Sequence, residues 1–346
     1  MPAGHHFCRT ALATALAGCV ALALVPPASA SAHARSVLVW WQPTAPATSH
    51  LVIADGDGRH ARPLTDPGPM VSDIEPVISP DGRSVLFERD LADGRVQIVL
   101  VDVRRGTERV IDTGCVDPCA GDLQPGWMPD GRRFTFTRVR FDAVTQTFVS
   151  ALLFSADLNG RNVRRLSEPG IDGTYEEQGA RFAPDGRSAV VQRTRTADEQ
   201  IAVFRLSFNG RPATQLTDWS LGADQADYSP ARHGRTRDLV VFDTNDFVGG
   251  HGPFSDIAVV PSACAPLSRC SAVTRLLTNN APAMHAFGPT WTEDGRGIVF
   301  LEFGDGEDGE QADLWMINAD GTHRRRLRNT PEIEISPDSG PASWPR

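Results

Sequence analysis

The stretch Pro76-Val77-Ile78-Ser79-Pro80-Asp81-Gly82-Arg83 decides the fold, because it returns along the chain. Its copies are Pro125-Gly126-Trp127-Met128-Pro129-Asp130-Gly131-Arg132, Ala180-Arg181-Phe182-Ala183-Pro184-Asp185-Gly186-Arg187 and Pro289-Thr290-Trp291-Thr292-Glu293-Asp294-Gly295-Arg296. A looser copy, Ala226-Asp227-Tyr228-Ser229-Pro230, carries an insertion ending at Gly234-Arg235 where Asp-Gly is expected. From Asp81 to Asp130 is 49 residues, on to Asp185 another 55, and to Asp294 another 109 across two units. A period near 50 with several short strands per unit is the signature of propeller blades.

Each unit has its own turn chemistry. Pro presets φ, Asp tolerates the next turn position and Gly supplies positive φ, so Pro-Asp-Gly predicts a tight hairpin. Apolar strands follow at 84–88, 133–138, 188–193, 238–243 and 297–302, with third strands at 97–102, 151–156, 201–206 and 313–318. A second turn, as in Leu158-Asn159-Gly160, Phe208-Asn209-Gly210 or Ala319-Asp320-Gly321, feeds a polar outer strand ending near Leu166, Leu216, Leu277 or Leu327. Ser36 to Trp41 begins a sixth unit that lacks its own innermost strand. Pro341-Ala342-Ser343-Trp344 is an orphan copy of that strand, so the two termini are expected to complete one blade and close a six-bladed ring. The expected fold is therefore all-β, a six-bladed β-propeller of four-stranded antiparallel blades over residues 36–346.

The repeated Pro-x-aromatic-Ser-Pro-Asp-Gly-Arg motif, with Leu-Thr endings as in Arg62-Pro63-Leu64-Thr65 and Thr214-Gln215-Leu216-Thr217, resembles the WD40-like repeat of TolB-type propellers. The resemblance covers residues 36 to 346. It also extends to the propeller domains of prolyl-oligopeptidase-type peptidases and of some polysaccharide lyases, so it implies a fold more than an activity. TolB carries an α/β domain ahead of its propeller. Only residues 31 to 35 separate the leader from the first strand here, so the likeness is to the propeller alone.

Residues 1–30 read as a cleaved signal peptide: His5, His6 and Arg9, the apolar run from Ala11 to Val25, then Ala28-Ser29-Ala30. Leu16-Ala17-Gly18-Cys19 resembles a lipobox, which makes lipidation at Cys19 the alternative, but the apolar run continues past it. The mature protein is thus expected outside the cytoplasm, secreted or at the cell-envelope exterior. Four cysteines remain after cleavage, and their spacing in an exported chain predicts disulfides Cys115–Cys119 and Cys264–Cys270 over a four-Cys zinc site. Acidic residues outnumber basic ones 43 to 34, for a net charge of −9, and no basic run is present to grip a phosphate backbone. Nucleic acid is excluded as a partner, no membrane span is expected beyond the leader, and a monomer is the default.

No Gly-x-Ser-x-Gly occurs, which argues against a peptidase. His233, His251 and His285 lack neighbours at metal-ligand spacing and read as solvated or structural. The candidate binding residues are acids five places before the core residue of each innermost strand: Asp73, Asp122 and Glu177, with Asp224 one residue off. Asp338 joins them if Ser343 takes the core position. Such acids accept backbone N–H groups in a crossover turn, or together form a negative funnel for a basic peptide or a divalent cation such as calcium. The loop Gly304 to Glu310 is acidic but fails the EF-hand pattern, and Arg133 to Asp157 predicts a projecting hairpin. Two functions follow. The first is a non-enzymatic propeller that needs no cofactor and binds a protein or peptide at one face. The second is a metal-dependent hydrolase or lyase at a carboxylate-ringed channel mouth.

Overall fold

The computed structural model describes residues 36–45, 47–142, 144–145, 147–244, 255–280, 284–304, 312–328, 330 and 332–343. The leader at 1–30, His251, Trp344 and nearly all of the acidic loop after Gly304 lie outside them. The strands fall into consecutive sets of four. One set is Ile335–Pro341, Ser36–Ala45, Thr48–Asp55 and Arg62–Pro63; the next is Ser72–Ile78, Ser84–Asp90, Val96–Asp102 and Glu108–Ile111. A single parallel bridge, Ser49 to Ser72, joins these two into one eight-stranded sheet. Four separate four-stranded sheets follow, with innermost strands Cys119–Trp127, Tyr175–Phe182, Ala223–Tyr228 and Met284–Trp291. Within each set the neighbours are antiparallel, as a punctuated hairpin repeat requires.

The second strand of each set is buried on both faces, and its alternation decides what it packs against. Val37 and Val39 join Ile78, Val85 and Phe87, whereas Leu38 and Trp40 between them join Val299, Leu314 and Met316. Val240 and Phe242 pack with Val190 and Val203, and Val241 packs with Ile298 and Phe300. Each apolar cluster thus straddles two successive sets, including the last set and the first. One seven-residue helix, Leu267–Val273, interrupts the pattern on the disulfide-bearing loop and was not expected.

The motifs work as local devices. In the Pro-Asp-Gly turn, Asp81 accepts from the Ser79 hydroxyl at 2.7 Å and from Arg83 N at 3.0 Å. Gly82 has φ +69°, and a Cβ there would stand 1.8 Å from the Pro341 carbonyl oxygen, so no other residue fits. The hydroxyl after four of the outer Leu residues accepts the backbone N–H of the third strand: Thr65 from Leu51, Ser167 from Leu153, Thr217 from Val203 and Thr278 from Ile257, at 2.8 to 3.0 Å; after Leu327 stands Arg328, and Leu314 N donates to Glu334 instead. That satisfies a buried donor where the outer strand is only two residues long.

The terminal pairing differs from expectation in its register. Ser36 opposes Pro341, Val37 opposes Gly340 and Trp41 opposes Ile335, so the strand that pairs lies upstream of the Pro341–Trp344 copy. The matching copy is Ser336-Pro337-Asp338-Ser339. A left-handed residue precedes the Pro or Ala in every innermost strand: Glu75, Gln124, Gly179, Gln225, Gly288 and Ser336, with φ between +44° and +62°. A conformational requirement, not an aromatic, defines the repeat, and Ser339 takes the core position.

Candidate functional site: a cavity at six bulged strands

The left-handed residues coincide with breaks in the ladder between first and second strands, at Ile74/Val77, Leu123/Gly126, Gln178/Arg181, Asp224/Asp227, Phe287/Thr290 and Val39/Trp41. They are β-bulges, which turn a side chain away from the sheet direction. All six bulge residues line one cavity of about 60 Å³, room for a few water molecules. Four of the six are not glycine, a conformation that costs roughly 1 to 3 kcal/mol each and marks functional sites.

Polar groups converge there. Glu75, Gln124, Gln192, Gln225 and Asp227 line the cavity, and Arg181 is the one arginine among its lining residues. Ser336 donates to Glu75 at 2.9 Å across 261 residues of sequence. Burial pushes the Glu75 carboxyl up, against the Ser336 hydrogen bond and the attraction of Arg181. Asp227 is likewise raised by burial, while accepting from Trp291 N at 2.8 Å and from the Thr290 hydroxyl at 3.2 Å. Asp338 sits at the same bulge offset as Asp227 and accepts from Ile78 N at 2.7 Å. Burial lifts it to about 6 despite Arg181, with Asp227 adding to the rise.

The acids singled out in the sequence occupy a different layer. Asp73, Asp122 and Glu177 are the cross-strand partners of Arg89, Arg138 and Arg193. Their contacts are Asp73–Arg89 at 2.6 and 2.9 Å, Asp122–Arg138 at 2.8 and 2.8 Å, and Glu177–Arg193 at 3.0 and 2.5 Å. Each guanidinium also lies over at least one aromatic ring, Arg89 over Phe87, Arg138 over Phe136 and Phe154, and Arg193 at 5.0 Å from Tyr175 and 4.6 Å from Phe204. Glu334 is the acid at this offset in the terminal strand, held by Arg328 at 2.7 Å. In the fifth set the residue at the place of Asp73 is Ala223, and Asp224 faces Asp243 across the ladder. His233 is exposed, while His285 is buried and stacked with Phe287 and Phe303. Both predicted disulfides are present, which fits an oxidising, extracytoplasmic compartment. No helix among the described residues is long and apolar enough to cross a membrane.

The six bulge residues of the cavity were missed in the sequence reading, although a signal existed: each stands immediately before the Pro or Ala that opens a copy. Radial sheets whose innermost strands meet at one polar cavity define a β-propeller. Its solved likenesses make the type specific. TolB from Acinetobacter baumannii matches with a TM-score of 0.65 and 19% identity, over 89% of this chain and 67% of that one. A putative TolB from Agrobacterium tumefaciens matches at 0.59 and 16%, over 85% and 88%. An oligogalacturonate lyase in complex with manganese matches at 0.51 and 14%, over 86% and 74%. The chain has the TolB-type propeller fold. No protein-family model and no curated protein sequence matches it.

Proposed function

We propose that the chain is a secreted, non-enzymatic six-bladed propeller, closed by its terminal strands, which binds a protein or peptide at one face of the ring. The six apolar clusters support the closed ring, since the cluster of Leu38, Trp40, Val299, Leu314 and Met316 unites the first and last sets. Partner binding rests on one observation: at the meeting point of the six bulges, Glu75, Asp227 and Asp338 face a single guanidinium, Arg181. A low-dielectric funnel with excess negative charge attracts a cationic segment and speeds its docking. Asp224 adds to that field through its proximity to Glu75. The protein acts as a monomer and does not engage nucleic acid.

The alternative is a hydrolase or lyase using a divalent ion such as calcium or manganese, held by Asp73, Asp122, Glu177 and Asp224. The donor set does not fit that group well: three of the four carboxylates already hold guanidinium partners. The test is affinity capture from culture supernatant and cell envelope with the mature protein as bait, alongside Glu75→Gln/Asp227→Asn. A partner with a basic segment, held by the wild type at low salt and lost from the variant, is the expected result. Equal capture by both proteins overturns the cavity as the site. A melting temperature raised by calcium or manganese and restored by chelator favours the metal reading instead.

A further inference from the structure

In three sets an acid on the innermost strand meets an arginine on the second; in the fifth set the meeting is acid against acid. Asp224 and Asp243 are register partners. Asp243 is 1% exposed. The hydrogen bonds the pair receives come from backbone: Gln225 N donates to Asp224 at 2.6 Å, and Gly288 N to Asp243 Oδ2 at 2.8 Å. Asp243 Oδ1 is buried without a hydrogen-bond partner among the described residues. A carboxylate oxygen in that state lacks a proton or a cation.

Among the described residues, the surrounding strands offer no free cation to supply one; on 297–304, the charged group is Glu302, which holds Arg324. On 188–195, Arg193 is held by Glu177 and Glu168, and Arg195 by Asp198. On 175–182, Glu177 is held by Arg193, and Arg181 faces the cavity beside Glu75 and Asp227. Glu176, on the same strand, is raised by burial and by Glu199. On 201–207, Arg205 donates to the Ser262 carbonyl at 2.5 Å. On 284–291 the titratable group is His285, stacked with Phe287 and Phe303. On 72–78, Glu75 adds negative charge, and Asp227 does so on the strand of Asp224 itself. The strand 257–261 bears no titratable residue.

We propose that Asp224 and Asp243 share one proton, making a pH-sensitive joint between the fifth set and the sixth. Two buried carboxyls set opposite each other on one face of a ladder repel when both ionise, and a shared proton removes that repulsion. The joint is mechanical as well as electrostatic. Asp243 holds the N–H of Gly288, the bulge residue of the next strand, and a Cβ at Gly288 would lie 2.9 Å from Gln225 Oε1. Losing the proton pushes Asp243 away from Asp224 and loosens its hold on the bulge at the cavity wall.

Direction supports the geometry. Burial first, then Glu75, raises Asp224 to about 6; burial first, then Asp224, raises Asp243 well above the usual carboxylate range. Because the folded values lie above the unfolded ones, the stability carried by protonation is complete below about pH 4; it begins to be lost as pH rises through about 6, where Asp224 ionises, and the rest goes at higher pH, where the remaining proton leaves.

The experiment is carboxyl-carbon NMR titration of the wild type, Asp243→Asn and Asp224→Asn, with thermal unfolding at pH 5 and pH 8. In the wild type one carboxyl of the pair should stay protonated above pH 6. In Asp243→Asn, Asp224 should lose its proton at least tenfold more readily, and the drop in melting temperature from pH 5 to pH 8 should shrink. Exchange of the Gly288 amide, corrected for intrinsic base catalysis, should rise at pH 8 in the wild type but not in Asp243→Asn. An Asp224 that titrates at the same pH in wild type and Asp243→Asn overturns the proposal, and Asp224→Asn repeats that test on Asp243 if the first variant does not fold. Ionisation of both carboxyls below pH 5 in the wild type alone overturns it as well.

Discussion

Replacing Glu177 by Ala separates the structural role of the repeated acids from a ligand-binding one. Glu177 is fully buried and Arg193 is 4% exposed. The mutation removes both contacts to Oε1 and leaves Arg193 with one acceptor, Glu168, at 3.2 Å. Breaking a buried pair on one side typically costs ~3 to 5 kcal/mol, since the remaining charge is uncompensated. Glu168 and the two aromatic faces keep part of the stabilisation, so about 3 kcal/mol is expected, a large share of the roughly 5 to 15 kcal/mol of an average domain. Arg193→Met removes the charge but keeps a chain of similar length between Tyr175 and Phe204. The double variant should therefore cost less than the two single changes together, with a coupling of about 2 kcal/mol. Urea denaturation at pH 7 of the wild type, both single variants and the double variant gives the cycle. A Glu177→Ala loss below about 1 kcal/mol, or strict additivity, would show that the carboxylate is not tied to Arg193 and is free to meet a ligand.

Two further outcomes are expected. Deleting residues 335–346 removes the strand paired with Ser36–Trp41 and the Asp338 bond to Ile78, so the truncated protein should aggregate or melt far below the parent; an unchanged melting temperature and unchanged oligomeric state would refute the proposed ring closure. Non-reducing peptide mapping should recover Cys115–Cys119 and Cys264–Cys270, and their reduction should cost only about 2 kcal/mol each because the loops are short; free thiols in protein purified under oxidising conditions would contradict this.

The strand content and the turns were legible because they depend on neighbours in sequence. Pro-Asp-Gly and Asn-Gly set backbone angles within four residues, and an alternating apolar run declares a strand wherever it later packs. The Leu-Thr ending was readable as punctuation, but its purpose was not. The Thr65 hydroxyl serves Leu51 N, and that partner is known only once the outer strand has folded back.

The candidate site shows the same boundary. Sequence alone determined that acids recur at a fixed offset before each core residue, at Asp73, Asp122 and Glu177, and that two cysteine pairs were close enough to join. It could not assign the acids their partners, because Arg89, Arg138 and Arg193 meet them through the register of the second strand, and a one-residue slip would turn each arginine to the opposite face. The sixth copy was misread at Pro341 for a related reason: its mark is a left-handed Ser336 before Pro337, a backbone state that no residue type declares. Only the tertiary structure gathered Glu75, Gln124, Gly179, Gln225, Gly288 and Ser336 at one cavity, and only it set Asp224 against Asp243. These residues lie 46 or more positions apart for the cavity and 19 for the pair. What brings them together is the packing of successive sheets on shared apolar clusters, a long-range choice with no local trace.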